Sequence, residues 1–199
     1  GGNIDFASIA HQDRDTVKGQ VKDAQILPSY GAYYYFSPQQ RKERGGPWLD
    51  KRMRQALSLA LDRKGMLDLF WDGDGNWYGL TGTNLGSWAH DMRDEKVGRK
   101  QWYERDIKKA KDLASAAGYN GEPLRYIYSN NAYGDTFNQL AVYAADNLKQ
   151  AGLNVQVVTQ DYRSEFITAG KTFFGNYDGV FFSPEAPHTD PFTLHEHML

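Results

Sequence analysis

The stretch LDKRMRQALSLALDRKGM, residues 49–66, predicts two consecutive helices separated by a short break. Asp50 precedes the first helix, where its carboxylate can accept hydrogen bonds from the unpaired backbone N–H groups of the first turn. Apolar side chains then recur with the spacing of one buried helical face. They are Met53, Ala56, Leu57, Ala60 and Leu61. Asp62 can cap a second helix carrying Met66, Leu67 and Phe70. The pattern therefore indicates two helices that meet at an angle.

The composition is that of a globular protein with no strong charge. The chain has 199 residues, 40% hydrophobic and 24% charged, with a formal net charge of −2. Because no basic block is present, nucleic acid is not expected as a partner. The absence of cysteine excludes disulfides and thiolate metal ligands. No apolar run approaches the ~18 residues of a membrane span. The many aromatic residues suit either a packed core or a ligand cleft.

Strands and helices alternate along the rest of the chain. Strands are predicted at residues 32–36, 124–129, 154–160 and 177–183. Helices are predicted after Asp106, after the turn at 130–135 and, as a short segment, after Asp161. The connections are long enough for parallel pairing, and right-handed crossovers would place helices on the faces of the sheet. The expected fold class is α/β, with a mixed and mostly parallel sheet flanked by helices.

The succession PWLDKRMRQALSLALDRKGM (47–66) resembles a segment of the solute-binding proteins of ABC importers, family 5. This group binds dipeptides, oligopeptides and nickel complexes. The matching positions are Trp48, Asp50, Arg54, Ala56, Ala60, Asp62 and Arg63. Three further stretches resemble the family in the same order: DIKKAKDLASAAGYNG (106–121), LAVYAADNLKQAGLNVQV (140–157), and YDGVFF (177–182) with Asp190-Pro191 beyond it. GNIDFAS (2–8) is similar to the end of the family's first lobe, so the resemblance covers nearly the whole chain.

The resemblance implies one lobe of a protein whose two lobes close on a ligand by a hinge motion. The expected fold is a periplasmic-binding-protein type II-like lobe. Residues 1–25 would end the first lobe and form the hinge, and residues 26–199 would form the second lobe, with the returning C-terminal segment missing. The implied parent is exported to the periplasm or the outer face of the membrane. It would capture a small solute, peptide-like or other, and deliver it to a membrane permease, with no cofactor and no catalysis.

Ligands of α/β sheets gather beyond the carboxyl ends of the strands. The candidate ligand-binding residues are Asn130, Tyr133, Phe182, Glu185, His188 and Asp190. In peptide-binding members of the family, the loop after the last strand carries a Trp and then an Asp that pairs with the ligand's ammonium group. Here Phe181 or Phe182 stands where that Trp would be, and Glu185 is the nearest carboxylate. Three tryptophans of the Gly-rich loop at 71–91 are further candidates for ligand contact: Trp71, Trp77 and Trp88.

Other interpretations of these residues remain open at this point. Glu185 could be a solvated loop charge, and Asp190 before Pro191 could start a turn. A C-terminal group could serve a metal-dependent hydrolase: His188, Asp190, His195, Glu196 and His197. No HExxH or GxSxG motif supports this. DGDGN (72–76) lacks the later ligands of a calcium loop. The same lobe could also act as the sensor domain of a regulator.

Overall fold

A computed structural model gives the fold of residues 6–27, 33–79, 83–186 and 190. A four-stranded sheet lies at its centre. The strands are β1 (Tyr33–Pro38), β2 (Leu124–Ser129), β3 (Val155–Gln160) and β4 (Val180–Glu185). Their order is β1-β4-β2-β3. β2 is parallel to both β3 and β4, whereas β1 is antiparallel to β4. The predicted α/β class with a mostly parallel mixed sheet is confirmed.

Helices and single helical turns make up the connections. The α-helices are α1 (Arg14–Gln20), α2 (Lys51–Ala60), α3 (Arg63–Trp71), α4 (Lys100–Tyr103), α5 (Ile107–Ala116) and α6 (Gly134–Gln150). The 3-10 turns are His11–Asp13, Lys42–Arg44, Pro47–Leu49, Thr83–Trp88, Glu95–Val97 and Thr172–Phe174, and Tyr162–Phe166 forms a π-helical turn. Among the described residues, no helix has the length and apolar character needed to cross a membrane.

The predicted helix starts are confirmed by the hydrogen bonds that cap them. The Asp50 carboxylate accepts from the Arg52 N–H at 2.7 Å, at the start of α2. Asp62 and Asp106 cap α3 and α5 in the same way, at 2.9 Å in each case. Between α2 and α3 the backbone of Leu61 is extended (φ −73°, ψ 127°), so the two helices are separate, as predicted.

Two hydrophobic cores cover the two faces of the sheet. Side chains alternate along a strand, so Tyr126 and Tyr128 of β2 face the helices while Ile127 faces the other layer. The helix-side core contains the predicted buried residues Met53, Ala56, Leu57 and Ala60, with Leu59 in addition. The second core is built from Ile127, Phe166, Tyr177 and Phe181.

Arg63 joins the end of α2 to the segment before α5. Its guanidinium is enclosed by protein and donates to the carbonyls of Ser58 at 2.8 Å and Tyr103 at 3.1 Å. It also donates to the Ser58 hydroxyl at 2.8 Å and lies 4.6 Å from the centre of the Tyr103 ring. Burial lowers the pKa of Arg63 to about 10, so the side chain remains charged at neutral pH. A cation thus satisfies three acceptors at the break between two helices.

Asp62, the neighbour of Arg63, ties the same break to α6. Its backbone N–H donates to Asn147 Oδ1 at 2.6 Å, and its carboxylate accepts from the Tyr143 hydroxyl at 3.3 Å. The Arg105 guanidinium lies 3.7 Å from the same carboxylate. The Asp-Arg pair therefore holds α2, α3, α6 and the segment before α5 together.

Strand β4 is shifted from its prediction, starting at Val180 and ending at Glu185 instead of covering 177–183. The preceding Tyr177 is engaged elsewhere, because its hydroxyl donates to the Ser37 carbonyl at 3.1 Å. Gly179 has φ +91°, and a Cβ there would lie 2.2 Å from the Arg125 carbonyl oxygen. Only glycine fits at that position, so the strand begins after it.

Two further boundaries differ from the sequence prediction. β1 extends through Ser37 and Pro38, beyond the predicted end at residue 36. Pro38 is compatible with this because β1 lies at the edge of the described sheet. After β3 the predicted short helix is the π-helical turn, where Asp161 accepts from the Ser164 N–H at 2.8 Å.

We expect Arg63→Met to lower the free energy of unfolding by about 2 kcal/mol, since methionine fills the space but leaves three acceptors without their donor. Equilibrium unfolding in urea measures this. Arg52→Met is the matched control. Arg52 is exposed and forms an ion pair with Asp50, so its loss should cost clearly less than the loss of Arg63. Equal costs for the two variants would contradict the structural role of Arg63.

Candidate ligand-binding site

The carboxyl ends of the three parallel strands lie at one edge of the sheet. Because β1 runs antiparallel to β4, its first residue Tyr33 pairs with Glu185 at the end of β4 and reaches the same edge. The chain leaves β2 toward β3 on one side and later enters β4 on the other. The topological switch point therefore lies between β2 and β4, where ligands bind in open α/β sheets.

Glu185 was a candidate ligand-binding residue, and the alternative that it is a solvated loop charge is wrong. The residue lies within β4 and is only 9% exposed. Alternation along β4 puts Glu185 on the same face as Ser183 and Phe181, opposite the helices α2, α5 and α6. A carboxylate thus sits at the switch point, held in place by strand pairing.

Tyrosine hydroxyls surround this carboxylate. Burial and the charge of Glu185 raise the pKa of Tyr33 to about 12. The pKa of Tyr35 is also raised, first by burial and then by Glu185. For Tyr133 burial is again the main cause of a raised pKa, followed by the Tyr162 hydroxyl. The Tyr133 and Tyr162 rings meet edge to face at 5.4 Å. At neutral pH all these phenols keep their protons, so the edge presents neutral donors around one carboxylate.

The hydroxyl of Tyr33 stands out within this group. Its oxygen is buried and meets no hydrogen-bonding partner among the described residues. Unsatisfied buried polar groups are rare because each one costs free energy. This hydroxyl therefore makes no described contact that favours folding.

Asn131 links the loops that follow β2 and β3. Its side-chain oxygen accepts from the Tyr162 N–H at 2.9 Å and from the Ser129 hydroxyl at 3.1 Å. Its amide nitrogen donates to the Asp161 carboxylate at 2.5 Å. Hydrogen bonds to Ser164 and Asn131 lower the pKa of Asp161 to about 2. Sequence reasoning selected Asn130, directly after the predicted strand, and passed over its neighbour Asn131.

The structure brings some of the predicted ligand residues together and not others. Tyr133 lies at the edge near Glu185. Asn130 is exposed there, and its carbonyl accepts from Asn138 at 3.0 Å. Phe182 is 4% exposed and faces the helices, with its ring stacked on Phe137 at 5.5 Å. Its ring therefore supports the core, and contact of any of these residues with a ligand stays a prediction.

The remaining candidates are spread over other parts of the chain. Asp190 is partly exposed, while His188 lies outside the described residues, as do His195, Glu196 and His197. Among the residues that are described, no three His, Asp or Glu side chains form a possible metal site. Trp71 packs on Tyr34 at 5.6 Å, and Trp77 lies 5.1 Å from the Arg93 guanidinium. Trp88 is exposed.

An α/β lobe with polar groups gathered at its switch point has the architecture of a ligand-binding domain. The family model "Bacterial extracellular solute-binding proteins, family 5 Middle" matches residues 1–196. The chain therefore belongs to family 5 of the bacterial extracellular solute-binding proteins.

Relatives and solved structures agree with this assignment. The oligopeptide-binding protein AppA of Bacillus subtilis is 26% identical over 167 residues, which is 78% of this chain and 29% of AppA. The periplasmic murein peptide-binding protein MppA of Escherichia coli is 28% identical over 172 residues, covering 84% of this chain and 30% of MppA. The chain thus spans less than a third of the length of these curated relatives.

The fold comparison confirms the expected type of lobe. The structure of Escherichia coli MppA matches with a TM-score of 0.64 at 22% identity, covering 96% of this chain and 36% of that one. The periplasmic binding protein DppA of Helicobacter pylori, in complex with the peptide STSA, matches with a TM-score of 0.64 at 15% identity, covering 96% and 34%. The lobe is of the periplasmic-binding-protein type II kind.

Asn131→Asp should lower the free energy of unfolding at pH 7, because a carboxylate would replace the donor that faces Asp161. The loss should shrink as the pH falls toward 4, where one of the two carboxyl groups takes up a proton. Urea unfolding at both pH values measures this. Asn130→Asp is the control with the same charge change, and we expect a shift within about 0.5 kcal/mol. A pH-independent loss would contradict the proposed contact.

Tyr33→Phe should leave stability at pH 7 unchanged or slightly higher, because it removes a hydroxyl without a described partner. Tyr126→Phe is the control. The Tyr126 hydroxyl donates to the Ala141 carbonyl at 3.0 Å, so its removal should cost about 1 kcal/mol.

The raised pKa of Tyr33 means that its protonated form favours the fold. Stability should therefore fall between pH 10 and about 12 more steeply in the wild type than in Tyr33→Phe. If the free energy of unfolding fell equally steeply above pH 10 in the wild type and in Tyr33→Phe, this assignment would be contradicted.

Proposed function

We propose that this chain forms one lobe of a two-lobe substrate-binding protein, which captures a peptide or similar small solute and delivers it to the permease of an ABC importer. The match of the family model to residues 1–196 carries the proposal. The carboxylate and phenol groups at the switch point support it, since such edges hold ligands in α/β sheets.

A ligand with an ammonium group suits the chemistry of this edge. A carboxylate and an ammonium group form a charge-assisted hydrogen bond, which is strong when water is excluded. Glu185 would supply the carboxylate, and Tyr33 and Tyr133 would supply neutral hydroxyls to other polar atoms of the ligand. Two relatives are named oligopeptide-binding and murein peptide-binding. These names favour a peptide-type ligand, whose amino terminus is such an ammonium group.

The rest of the ligand site would come from the remainder of the parent protein. We propose that residues 1–25 lead out of the first lobe through a hinge and that residues 26–199 form the second lobe. A ligand bound between the lobes would hold them closed, and the closed surface would be recognised by the permease. The parent would work outside the cytoplasmic membrane. We propose no catalytic step, because the family consists of solute-binding proteins.

A ligand screen on the full-length parent tests this function. Peptides, sugars and metal complexes are compared by thermal shift, and a peptide with a free amino terminus should raise the melting temperature without being altered, as checked by mass spectrometry. Glu185→Gln should weaken the binding of that peptide at least about tenfold and have less effect on the binding of its N-acetylated form. Glu43→Gln, a change of the same kind in a turn away from the edge, is the matched control and should bind normally.

Three results would count against the proposal. Chemical turnover of the ligand would indicate an enzyme. Submicromolar binding by the isolated 199-residue chain would contradict the need for a second lobe. Equal weakening by Glu185→Gln and Glu43→Gln would remove Glu185 from the site.

A further inference from the structure

An open groove runs between α3 and α6 on the helix side of the sheet. Its volume is about 560 Å³, within the range of roughly 300–1,000 Å³ that is usual for small-molecule sites. The 3-10 turn at His11–Asp13 closes one end, with His11 Nε2 3.1 Å from the Asp72 carboxylate. The groove therefore has two helical walls and one closed end.

The walls of the groove expose apolar side chains. Leu69 of α3 is 64% exposed and Val142 of α6 is 48% exposed. Phe70, Tyr128 and Tyr143 line the space between them. Phe70 and Tyr143 meet edge to face at 6.1 Å, which leaves aromatic surface along the floor. Such a surface favours a ligand with an aromatic or branched apolar body.

The polar groups of the groove include two carboxylates. They lie beside hydrogen-bonding side chains from His11, Gln12, Asn138, Gln139 and two tyrosines. Asp72 and Asp146 lie at its rim, and the described lining includes no Lys or Arg. Lys149 pairs with Asp146 at 2.9 Å but is not part of that lining. Asn138 also contributes, and its side-chain oxygen is buried without a described hydrogen-bond donor. The described lining thus carries two carboxylates and no Lys or Arg, which complements a cation.

The groove is separate from the edge proposed above for the peptide-type ligand. Tyr128 of β2 faces the helices, whereas Glu185 of β4 points to the opposite face of the sheet. A small ligand in the groove would not reach the Glu185 carboxylate.

We propose that this groove is a second small-molecule site, which takes an organic cation with an aromatic or branched apolar body. Burial of the body against Leu69, Phe70 and Val142 provides the attraction, and Asp72 selects the charge. An anion of the same shape would meet like charge at the rim. A neutral analogue would keep the apolar contacts and lose the ion pair.

A probe series tests this site by two-dimensional NMR on the 199-residue chain. 2-Phenylethylammonium should shift amide signals of residues 69–72 and 138–146 in a saturable way. 2-Phenylethanol should bind about three- to tenfold more weakly, and 3-phenylpropanoate more weakly still. The signals of Tyr33, Tyr133 and Glu185 should stay in place.

Variants separate groove binding from general surface binding. Val142→Trp should fill the groove and weaken the binding of the cation at least about tenfold. Val157→Trp is the matched control, because Val157 is 43% exposed on β3, away from the groove. Asp72→Asn should weaken the binding of the cation about threefold and leave the binding of 2-phenylethanol unchanged. The Asp72 backbone has φ +50°, a left-handed conformation that Asn also tolerates.

Several results would overturn the proposal. Absence of saturable shifts, equal binding of all three probes, or unchanged binding by Val142→Trp would each do so. Shifts confined to the sheet edge would reject the groove and leave the proposed transport function intact. Binding to the 199-residue chain but not to the full-length parent would also reject it, because the groove would then be covered by other parts of the parent. Binding to both, with the expected order of probes, supports it.

Discussion

The parallel pairing of β2 with both β3 and β4 is the constraint on which the candidate site depends. β3 and β4 lie on opposite sides of β2, so the two crossovers run in opposite directions across the sheet. For both to keep the favoured right-handed sense, they must cover opposite faces. α6 packs with the helix-side core, and the segment after β3 carries Phe166 in the second core, as this requires. The same topology brings three carboxyl ends to one edge and opens a switch point between β2 and β4.

Local features of this fold could be predicted from the sequence because short-range chemistry decides them. Asp50 and Asp62 cap helices in the structure because a carboxylate two or three residues ahead of free N–H groups satisfies them wherever the helix lies. The apolar stripe of α2 is buried because it packs in the helix-side core, mainly against α5. The enclosure of Arg63 was not predictable from spacing, since it depends on the carbonyl of Tyr103, forty residues away.

The contents of the site depended on contacts between distant segments. Glu185 belongs to β4 because the strand stays paired with β1 as far as Tyr33, which lies opposite Glu185. Tyr33 reaches Glu185 only through the antiparallel register of β1 on β4. A one-residue shift of that register would turn Tyr33 and Tyr35 to the helix side and move Tyr34 toward the carboxylate. Sequence reasoning could therefore find the edge, the carboxylate and Tyr133, but not Tyr33 and Tyr35.

Under the proposed function, the chemistry of this edge would let one lobe select a ligand without holding it tightly. The phenols of Tyr33, Tyr35 and Tyr133 have raised pKa values, so they donate hydrogen bonds without adding charge that would compete with Glu185. A sheet edge covers only one side of a ligand, however, whereas tight small-molecule sites enclose about 70–90% of the ligand surface. While the other side remains in water, an ion pair with Glu185 stays weak, because water screens it. Closure of a second lobe over the ligand would remove that water and strengthen each of these contacts at once. The selectivity of binding would then come from the groups of this lobe, and most of the affinity would come from the closure.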